Sequence, residues 1–319
     1  RDSSVTGVQT CALPIYISSE ISSRIKSSGA WVVADSGAPN LFALNSKKVF
    51  FVKGGEKVKR WTEVQKILLW LAERKAERSE PLVVIGGGAV LDLAALAASL
   101  YRRGIPLVLV PTTLLSMVDA TLGGKTAVDL EWKGSLIKNF AGTFYPANEV
   151  WLFWEFLRSL PPRERISGAG EVFKTMWIRG RAWKRNALIT YVQSGRVESG
   201  LDPLILDCLR VKSNIVARDP LDEKRIREIL NFGHTIGHAL ESASRGRMSH
   251  GESVLWGMLF EAGLLGMEGR KMGILCGSVI RELNLKLPEA LGKIPESDWR
   301  NLLSADKDRK STRLNSSHT

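Results

Sequence analysis

Residues 81–113, PLVVIGGGAVLDLAALAASLYRRGIPLVLVPTT, constrain this chain more than any other stretch. An unbroken apolar run ends in three glycines, an alanine-rich apolar segment comes next, and a second unbroken run closes the unit. Strands that are apolar at every position have both faces covered, which is the condition of a parallel sheet. Two such strands joined through a helix form a right-handed crossover unit, whose ligand-collecting edge lies at the carboxyl ends of the strands. The predicted spans are a strand over 81–88 running into the glycines, a helix over 89–101 and a strand over 105–113.

The same alternation begins earlier. WVVAD (31–35) and KVFFV (48–52) read as short strands, and 61–78 reads as a helix with Trp61, Val64, Ile67, Leu68 and Leu71 on one face. From about residue 155 long helical patterns dominate: RERISGAGEVFKTMWI, LILDCLRVKSNIVARD, IREILNFGHTIGHALESAS and GESVLWGMLFEAGLLGMEG. The expected fold class is an α/β N-terminal nucleotide-binding domain with a parallel, Rossmann-like sheet, residues 16–154, followed by an all-α C-terminal metal-binding domain, residues 155–308. Residues 1–15 (RDSSVTGVQTCALPI) and 309–319 (RKSTRLNSSHT) have neither periodicity. They resemble translated sequencing-adapter readthrough and are expected to be non-native tails, taking Cys11 and His318 with them.

Composition narrows the function classes. With 44% hydrophobic and 24% charged residues the chain suits a globular protein with ample core. No apolar run approaches the roughly 18–20 residues that cross a bilayer. Three cysteines, Cys11, Cys208 and Cys276, are too widely spaced for a disulfide framework or a thiolate zinc site, and a reducing cytoplasm is expected. A net charge of +12 would suit nucleic acid. The basic residues are scattered, however, and no zinc-finger, recognition-helix or RNA-binding motif accompanies them, so small anionic ligands account for the charge better.

Gly86, Gly87 and Gly88 end a strand where a helix begins, so their backbone N–H groups can approach a pyrophosphate that the helix dipole favours. The spacing is not GxGxxG, and a plain tight turn explains a glycine triplet as readily. Asp92, one turn on, can cap the loop or meet a cofactor, while Thr112 and Thr113 fall at the carboxyl edge. The sharper signal is histidine: of four in the chain, His234, His238 and His250 fall close together. A four-residue spacing puts His234 and His238 on one helix face. There both can grip one metal, or one can bind metal while the other works on substrate. Glu171 in GAGEVFK is a candidate carboxylate ligand, and Lys174 shares its helix face, an arrangement that a surface ion pair would also produce.

At these residues the sequence resembles the 3-dehydroquinate synthase family, within the superfamily that also holds iron-containing alcohol dehydrogenases. VVIGGGAVLDLAALAAS, RRGIPLVLVPTTLLSMVDATLGGKTAVD, KNFAGTFYPANEV, FLRSLPPRERISGAGEVFKT, LNFGHTIGHALE and HGESVLWGM occur in the family's order and cover most of 31–260. KVFFVKGGEKVKRW resembles the family's nucleotide-contacting Gly-Glu-x-x-Lys segment more loosely. The resemblance implies NAD lying over Gly86, Gly87 and Gly88, with Asp92, Thr112 and Thr113 near its phosphates and nicotinamide and Asp35, Glu56 and Lys59 near its adenosine end. It implies a divalent metal, zinc or alternatively cobalt, held by Glu171, His234 and His250. That assigns His238 to the substrate side, as a proton-transfer or phosphate-contacting group. Asp119, Lys125, Lys174, Arg227 and Asn231 complete the implied catalytic set, and Arg103, Lys138, Asn139, Lys212 and Lys307 are implied to bind substrate.

The implied reaction converts 3-deoxy-D-arabino-heptulosonate 7-phosphate to 3-dehydroquinate and phosphate, the second step of the shikimate pathway. It runs through transient oxidation by NAD, phosphate elimination, re-reduction and intramolecular aldol closure, in a homodimer. A phosphate and a carboxylate on one substrate need several fixed cations, which the basic residues just named supply. Leu91 departs from the family, which usually has Gly between Val90 and Asp92. VDLEWKGSLIKN, between Lys125 and Lys138, is a few residues longer than usual, ARDPLDEKRIR is slightly altered, and an opening strand or two is expected to be missing. SADK (304–307) is similar to the start of the family's Asp-Lys-Lys phosphate-contact block. Three other readings remain: a related cyclase with an inosose or valiolone-type product, a metal-dependent glycerol or alcohol dehydrogenase, and a basic nucleic-acid-binding protein.

Overall fold

The structure is a computed structural model that describes residues 14–17, 21–38, 46–180, 183, 185–267 and 269–311. Cys11 and His318 lie outside the described residues. The chain divides into two compact units, residues to Leu160 together with Gly195–Ile226, and Pro161–Ser194 together with Arg227 onward.

The first unit is built on a parallel sheet of β1 (Ile15–Ile17), β2 (Trp31–Asp35), β3 (Val49–Val52), β4 (Leu82–Gly86), β5 (Leu107–Pro111) and β8 (Glu149–Leu152), in the order β1-β8-β5-β4-β2-β3. The strands predicted from unbroken apolar runs are central: Leu82–Ile85 and Leu107–Val110 are buried at every position. Burying each such side chain contributes about 1.5–3 kcal/mol. Ile15, expected to belong to a foreign tail, instead pairs with Val150 and is fully buried. Three residues are too few to show a period, but they suffice to add an edge strand. At the other end the last helix runs to Ser311, past the predicted boundary at 308.

Helices α1 (Ile21–Ser28), α2 (Trp61–Glu73), α3 (Gly88–Leu100) and α4 (Glu155–Arg158) complete this part of the unit. Helix α2 stops five residues before the predicted end, because Lys75 takes a positive φ of 56°. Its buried face is Val64, Ile67, Trp70 and Leu71, whereas Trp61 is exposed. The sequence pattern did not reveal an antiparallel hairpin, β6 (Lys125–Trp132) with β7 (Ser135–Phe144). Lys133 and Gly134 turn it at φ 48° and 77°, the paired positive values that suit the strand twist of a two-residue hairpin. The extra length noted between Lys125 and Lys138 is this hairpin with its bulge. Val128 pairs with Ala141 and Leu130 with Ile137, so Asp129 faces Lys138, Asn139 and Phe140.

Helix α7 (Leu201–Arg218) belongs to this unit, although the expected single boundary placed it with the C-terminal helices. It packs on a π-helical turn at Ser116–Ala120, where Lys212 bonds Asp119. A helical period does not encode which neighbour a helix will choose.

The second unit is all helical among its described residues: α5 (Pro162–Arg179), α6 (Arg185–Ser194), α8 (His234–Ala243), α9 (His250–Leu264), α10 (Arg270–Glu282) and α11 (Glu296–Ser311). Helix α9 is apolar nearly all round, the pattern of a buried helix. It packs against α5, α8 and α10, with Val254, Leu255, Met258 and Ala262 meeting Phe173, Cys276 and Val279. The single helix read over IREILNFGHTIGHALESAS is broken: a 3-10 turn covers Ile226–Asn231, and Gly233, at φ 78°, starts α8 afresh. Cys208 and Cys276 are buried, and neither forms a disulfide among the described residues. No helix among the described residues is long and apolar enough to cross a membrane.

Candidate metal centre and nucleotide loop

In the first unit, β4 delivers Gly86 and Gly87 to the amino end of α3, with Gly87 as N-cap and Gly88 as the first helical residue. A Cβ on Gly86 would lie 2.7 Å from Cβ of Val90, so glycine here lets the helix close onto its own strand. No side chain caps α3 through its N-cap residue, as suits a helix end whose N–H groups serve an anion. Leu91 is helical, its N–H donating to Gly87 O at 3.0 Å. Its side chain is buried in a crevice with Asp92, Ala120, Lys125, Thr126 and Tyr145. The side chain that departs from glycine is therefore packed away from solvent on α3.

Other predicted nucleotide residues gather at the same carboxyl edge. Thr112 N–H donates to Gly86 O at 3.0 Å, and Thr113 Oγ1 accepts from Ser116 N–H at 3.1 Å. Asp35, ending β2, accepts at Oδ1 from Gly37 N–H (2.9 Å) and Gly54 N–H (3.0 Å), tying the loops after β2 and β3 together. Lys59 is buried and donates from Nζ to Asp92 Oδ2 at 2.7 Å and to Asn139 Oδ1. Glu56 is exposed, 4.0 Å from the same ammonium. Burial raises the pKa of Asp92, and the Lys59 charge opposes it. Asp129 was not among the expected site residues. Its N–H donates to Lys59 O (2.8 Å), and its Oδ1 accepts from Asn139 N–H (2.7 Å), locking the hairpin bulge beside Lys59.

Of the predicted substrate groups in this unit, Lys212 donates to Asp119 at its carbonyl (2.6 Å) and at Oδ1 (2.5 Å). Lys125 meets Asp222 Oδ2 at 2.7 Å, and Lys138 is exposed on β7. Arg103 comes after α3 at the amino end of β5, the edge of the sheet opposite Gly86 and Thr113, so the unit does not bring it to the other groups.

The metal centre forms within the second unit. Glu171 on α5, His234 at the start of α8 and His250 at the start of α9 offer ligand atoms that lie within 4.8 Å of one another. Glu171 Oε1 lies 3.3 Å from His234 Nε2 and 3.1 Å from His250 Nε2. Lys174 Nζ sits 2.5 Å from Glu171 Oε2 with both side chains buried, which excludes the surface-pair alternative. His234 Nδ1 is 3.2 Å from Phe232 O, and His250 Nδ1 is 3.2 Å from Glu241 Oε2. Outer partners of this kind leave each Nε2 lone pair for a metal. His238, one turn beyond His234, is not in the close donor set, but its ring lies 5.2 Å from that of His234 and 6.3 Å from that of His250. Arg227 is buried in the 3-10 turn that exposed Asn231 ends. The Lys307 side chain lies outside the described residues.

Glycines hold this cluster together, a role that no sequence motif marked. Gly170 and Gly251 meet where α5 crosses α9: a Cβ on Gly170 would fall 2.5 Å from Gly251 Cα, and one on Gly251 2.3 Å from Ile166 O. Their sequence neighbours are Glu171 and His250. Where α8 crosses α9, a Cβ on Gly257 would meet Gly233 O at 2.0 Å. A capping box then sets the start of α9, Ser249 Oγ accepting from Glu252 N–H and Glu252 Oε2 from Ser249 N–H. Replacing Ser249 with alanine should lower stability by about 1 kcal/mol in urea unfolding; an unchanged midpoint would contradict that role.

Electrostatics suit a cation. Burial opposes ionisation of Glu171, but Lys174, His234 and His250 overcome it and hold the carboxyl well below its ordinary range. Burial, then the Lys174 charge, lowers His234. Burial also pulls His250 down, yet hydrogen bonds to Glu171 and Glu241 outweigh it and raise the imidazole to about 10. A divalent ion would compete with a proton for His250 Nε2, so loading should release protons. One buried carboxylate and two Nε2 atoms are the donor types of a three-ligand site with an open position.

Residues 49–167 match the 3-dehydroquinate synthase N-terminal family and residues 168–309 the 3-dehydroquinate synthase C-terminal family. The chain is 39% identical to the 3-dehydroquinate synthase of Pyrobaculum aerophilum over 81% of its own length and 74% of that protein. It spans 53–64% of the length of other 3-dehydroquinate synthases that it matches at 36–42% identity. Among solved structures, a 2-deoxy-scyllo-inosose synthase complexed with carbaglucose-6-phosphate, NAD+ and Co2+ superposes with a TM-score of 0.74 at 25% identity, covering 91% of this chain and 83% of that one. The 2-epi-5-epi-valiolone synthase of Streptomyces hygroscopicus subsp. jinggangensis 5008, with NAD+ and Zn2+ bound, shares the fold at a TM-score of 0.75 and 22% identity, covering 96% and 88%. Both halves of the sequence thus place the chain in the 3-dehydroquinate synthase family.

Proposed function

We propose that this protein converts 3-deoxy-D-arabino-heptulosonate 7-phosphate to 3-dehydroquinate and phosphate. One observation carries the reading: Glu171, His234 and His250 converge in a chain that matches the synthase family through both halves. NAD, held by Gly86–Gly88 with Asp35, Glu56, Lys59, Asp92, Thr112 and Thr113, supplies reversible hydride acceptance. A divalent ion on Glu171, His234 and His250, zinc or alternatively cobalt, supplies Lewis acidity toward a substrate alcohol.

The chain's own residues do the rest. His238 moves a proton at its ring nitrogen, within one helical turn of His234. Lys174 neutralises Glu171 and contacts a substrate hydroxyl. Asp119, Lys125 and Asn139 orient the hydroxyls, while Lys138, Lys212, Arg227, Asn231 and Lys307 bind phosphate and carboxylate through charge-assisted hydrogen bonds. The working form in this reading is a cytoplasmic homodimer, which sedimentation would test.

Phosphate release from the heptulosonate phosphate is the assay. It should require NAD, stop with chelator, return with Zn2+ or Co2+, and leave no net NADH. NADH that accumulates with glycerol would replace this reading with an alcohol dehydrogenase. Release from a hexose phosphate lacking a carboxylate would replace it with an inosose-type cyclase.

A further inference from the structure

His234 and His250 occupy equivalent positions, each the first residue of its helix. The first turn of a helix leaves N–H groups unbonded, and its first residue is well placed only when they are capped. Helix α9 is capped by its own Ser249 and Glu252. Helix α8 has glycine at that place, Gly233, with no side chain to offer. Glu261, from the far end of α9, supplies the cap instead: Oε2 accepts from Gly233 N–H at 2.7 Å and Oε1 from Ile236 N–H at 3.4 Å. One carboxylate thereby meets the two N–H groups that a local capping box would satisfy. The favour is returned, since Glu241 on α8 accepts from Nδ1 of His250 at 3.2 Å.

We propose that Glu241 and Glu261 are positioning residues of the metal centre, exchanged between α8 and α9 so that each helix orients the histidine opening the other. The inference rests on reading Glu171, His234 and His250 as the ligands. Glu241 acts through the ring: a carboxylate at Nδ1 keeps the proton there and leaves the Nε2 lone pair facing Glu171. Glu261 acts through the backbone beneath His234. The Glu241 side chain is 37% exposed, so its removal opens no cavity.

The test is Co2+ binding by purified protein, in competition with a chromophoric chelator, together with the visible spectrum of the bound ion. Glu241→Ala should weaken Co2+ about 10–100-fold, the usual range for losing an outer partner of a ligand histidine, and alter the spectrum. Glu241→Gln should restore most of the affinity, because the amide oxygen still accepts from Nδ1–H. On a His250→Ala background Glu241→Ala should add nothing to the loss of Co2+ affinity. Glu261→Ala should weaken Co2+ and also lower the urea midpoint. Wild-type affinity in Glu241→Ala, a full further loss on the His250→Ala background, or wild-type affinity in Glu261→Ala would overturn the proposal. If His234→Ala and His250→Ala both bind Co2+ as tightly as wild type, the ligand assignment itself is wrong, an outcome distinct from the failures of the two glutamates.

Discussion

Replacing Glu171 by alanine is expected to remove metal binding and turnover, and to destabilise the protein by about 3–5 kcal/mol, the cost of breaking a buried ion pair from one side. Glu171 and Lys174 are 1% and 2% exposed, and their charged atoms are 2.5 Å apart. Without the carboxylate the ammonium is left in the interior with its counter-ion gone, and two imidazoles lose the oxygen they share. Replacing both partners by apolar groups avoids the stranded charge, so Glu171→Ala combined with Lys174→Met should recover most of the stability. It should recover neither metal nor activity. Urea unfolding with Co2+ titration on the single and double variants separates the two effects. A single variant as stable as wild type, or one that keeps its metal, would show that the pair does not hold the centre.

A methyl group on Gly251 is the second large effect. The added Cβ would lie 2.3 Å from Ile166 O and 2.4 Å from Ser167 O, and these are backbone atoms of α5 that cannot swing aside. Gly251→Ala should therefore cost about 3 kcal/mol, the upper end for overpacking. It should also weaken metal binding, since separating α5 from α9 carries Glu171 away from His250. Gly263, on the same helix, has nothing within 4 Å of an added Cβ. Gly263→Ala should raise stability by about 0.4–1 kcal/mol, because alanine has less chain entropy to lose. If both variants unfold at the wild-type urea concentration, the close crossing is not what holds these helices.

The parts of the fold that were readable share one property: their signal is local. Unbroken apolar runs mark β4 and β5 as strands covered on both faces, and the glycines between β4 and α3 mark a turn. The hairpin was missed because Lys133–Gly134 is a weaker turn signal than Asn-Gly, and because its bulge interrupts any two-residue period around Asp129. Helix α7 was put in the wrong unit because amphipathicity states that a face will be covered, never by what. Among site residues, histidine rarity and the family's ordered segments pointed to Glu171, His234 and His250. Glu261 carried no such mark, and Asp129 and Glu241, which close two of those segments, are ordinary acids in strand and helix positions with nothing local to assign them a role.

By itself, the sequence determined the parallel α/β unit, the helical character of the C-terminal half, and the residue types able to hold a divalent ion, because each depends on neighbours a few positions away. Tertiary structure alone decided that Gly170, Gly251, Gly233 and Gly257 are where backbones touch, and that two carboxylates cross between α8 and α9. Such contacts join residues tens of positions apart, and their geometry is set by how closely whole helices can approach, which no local pattern encodes.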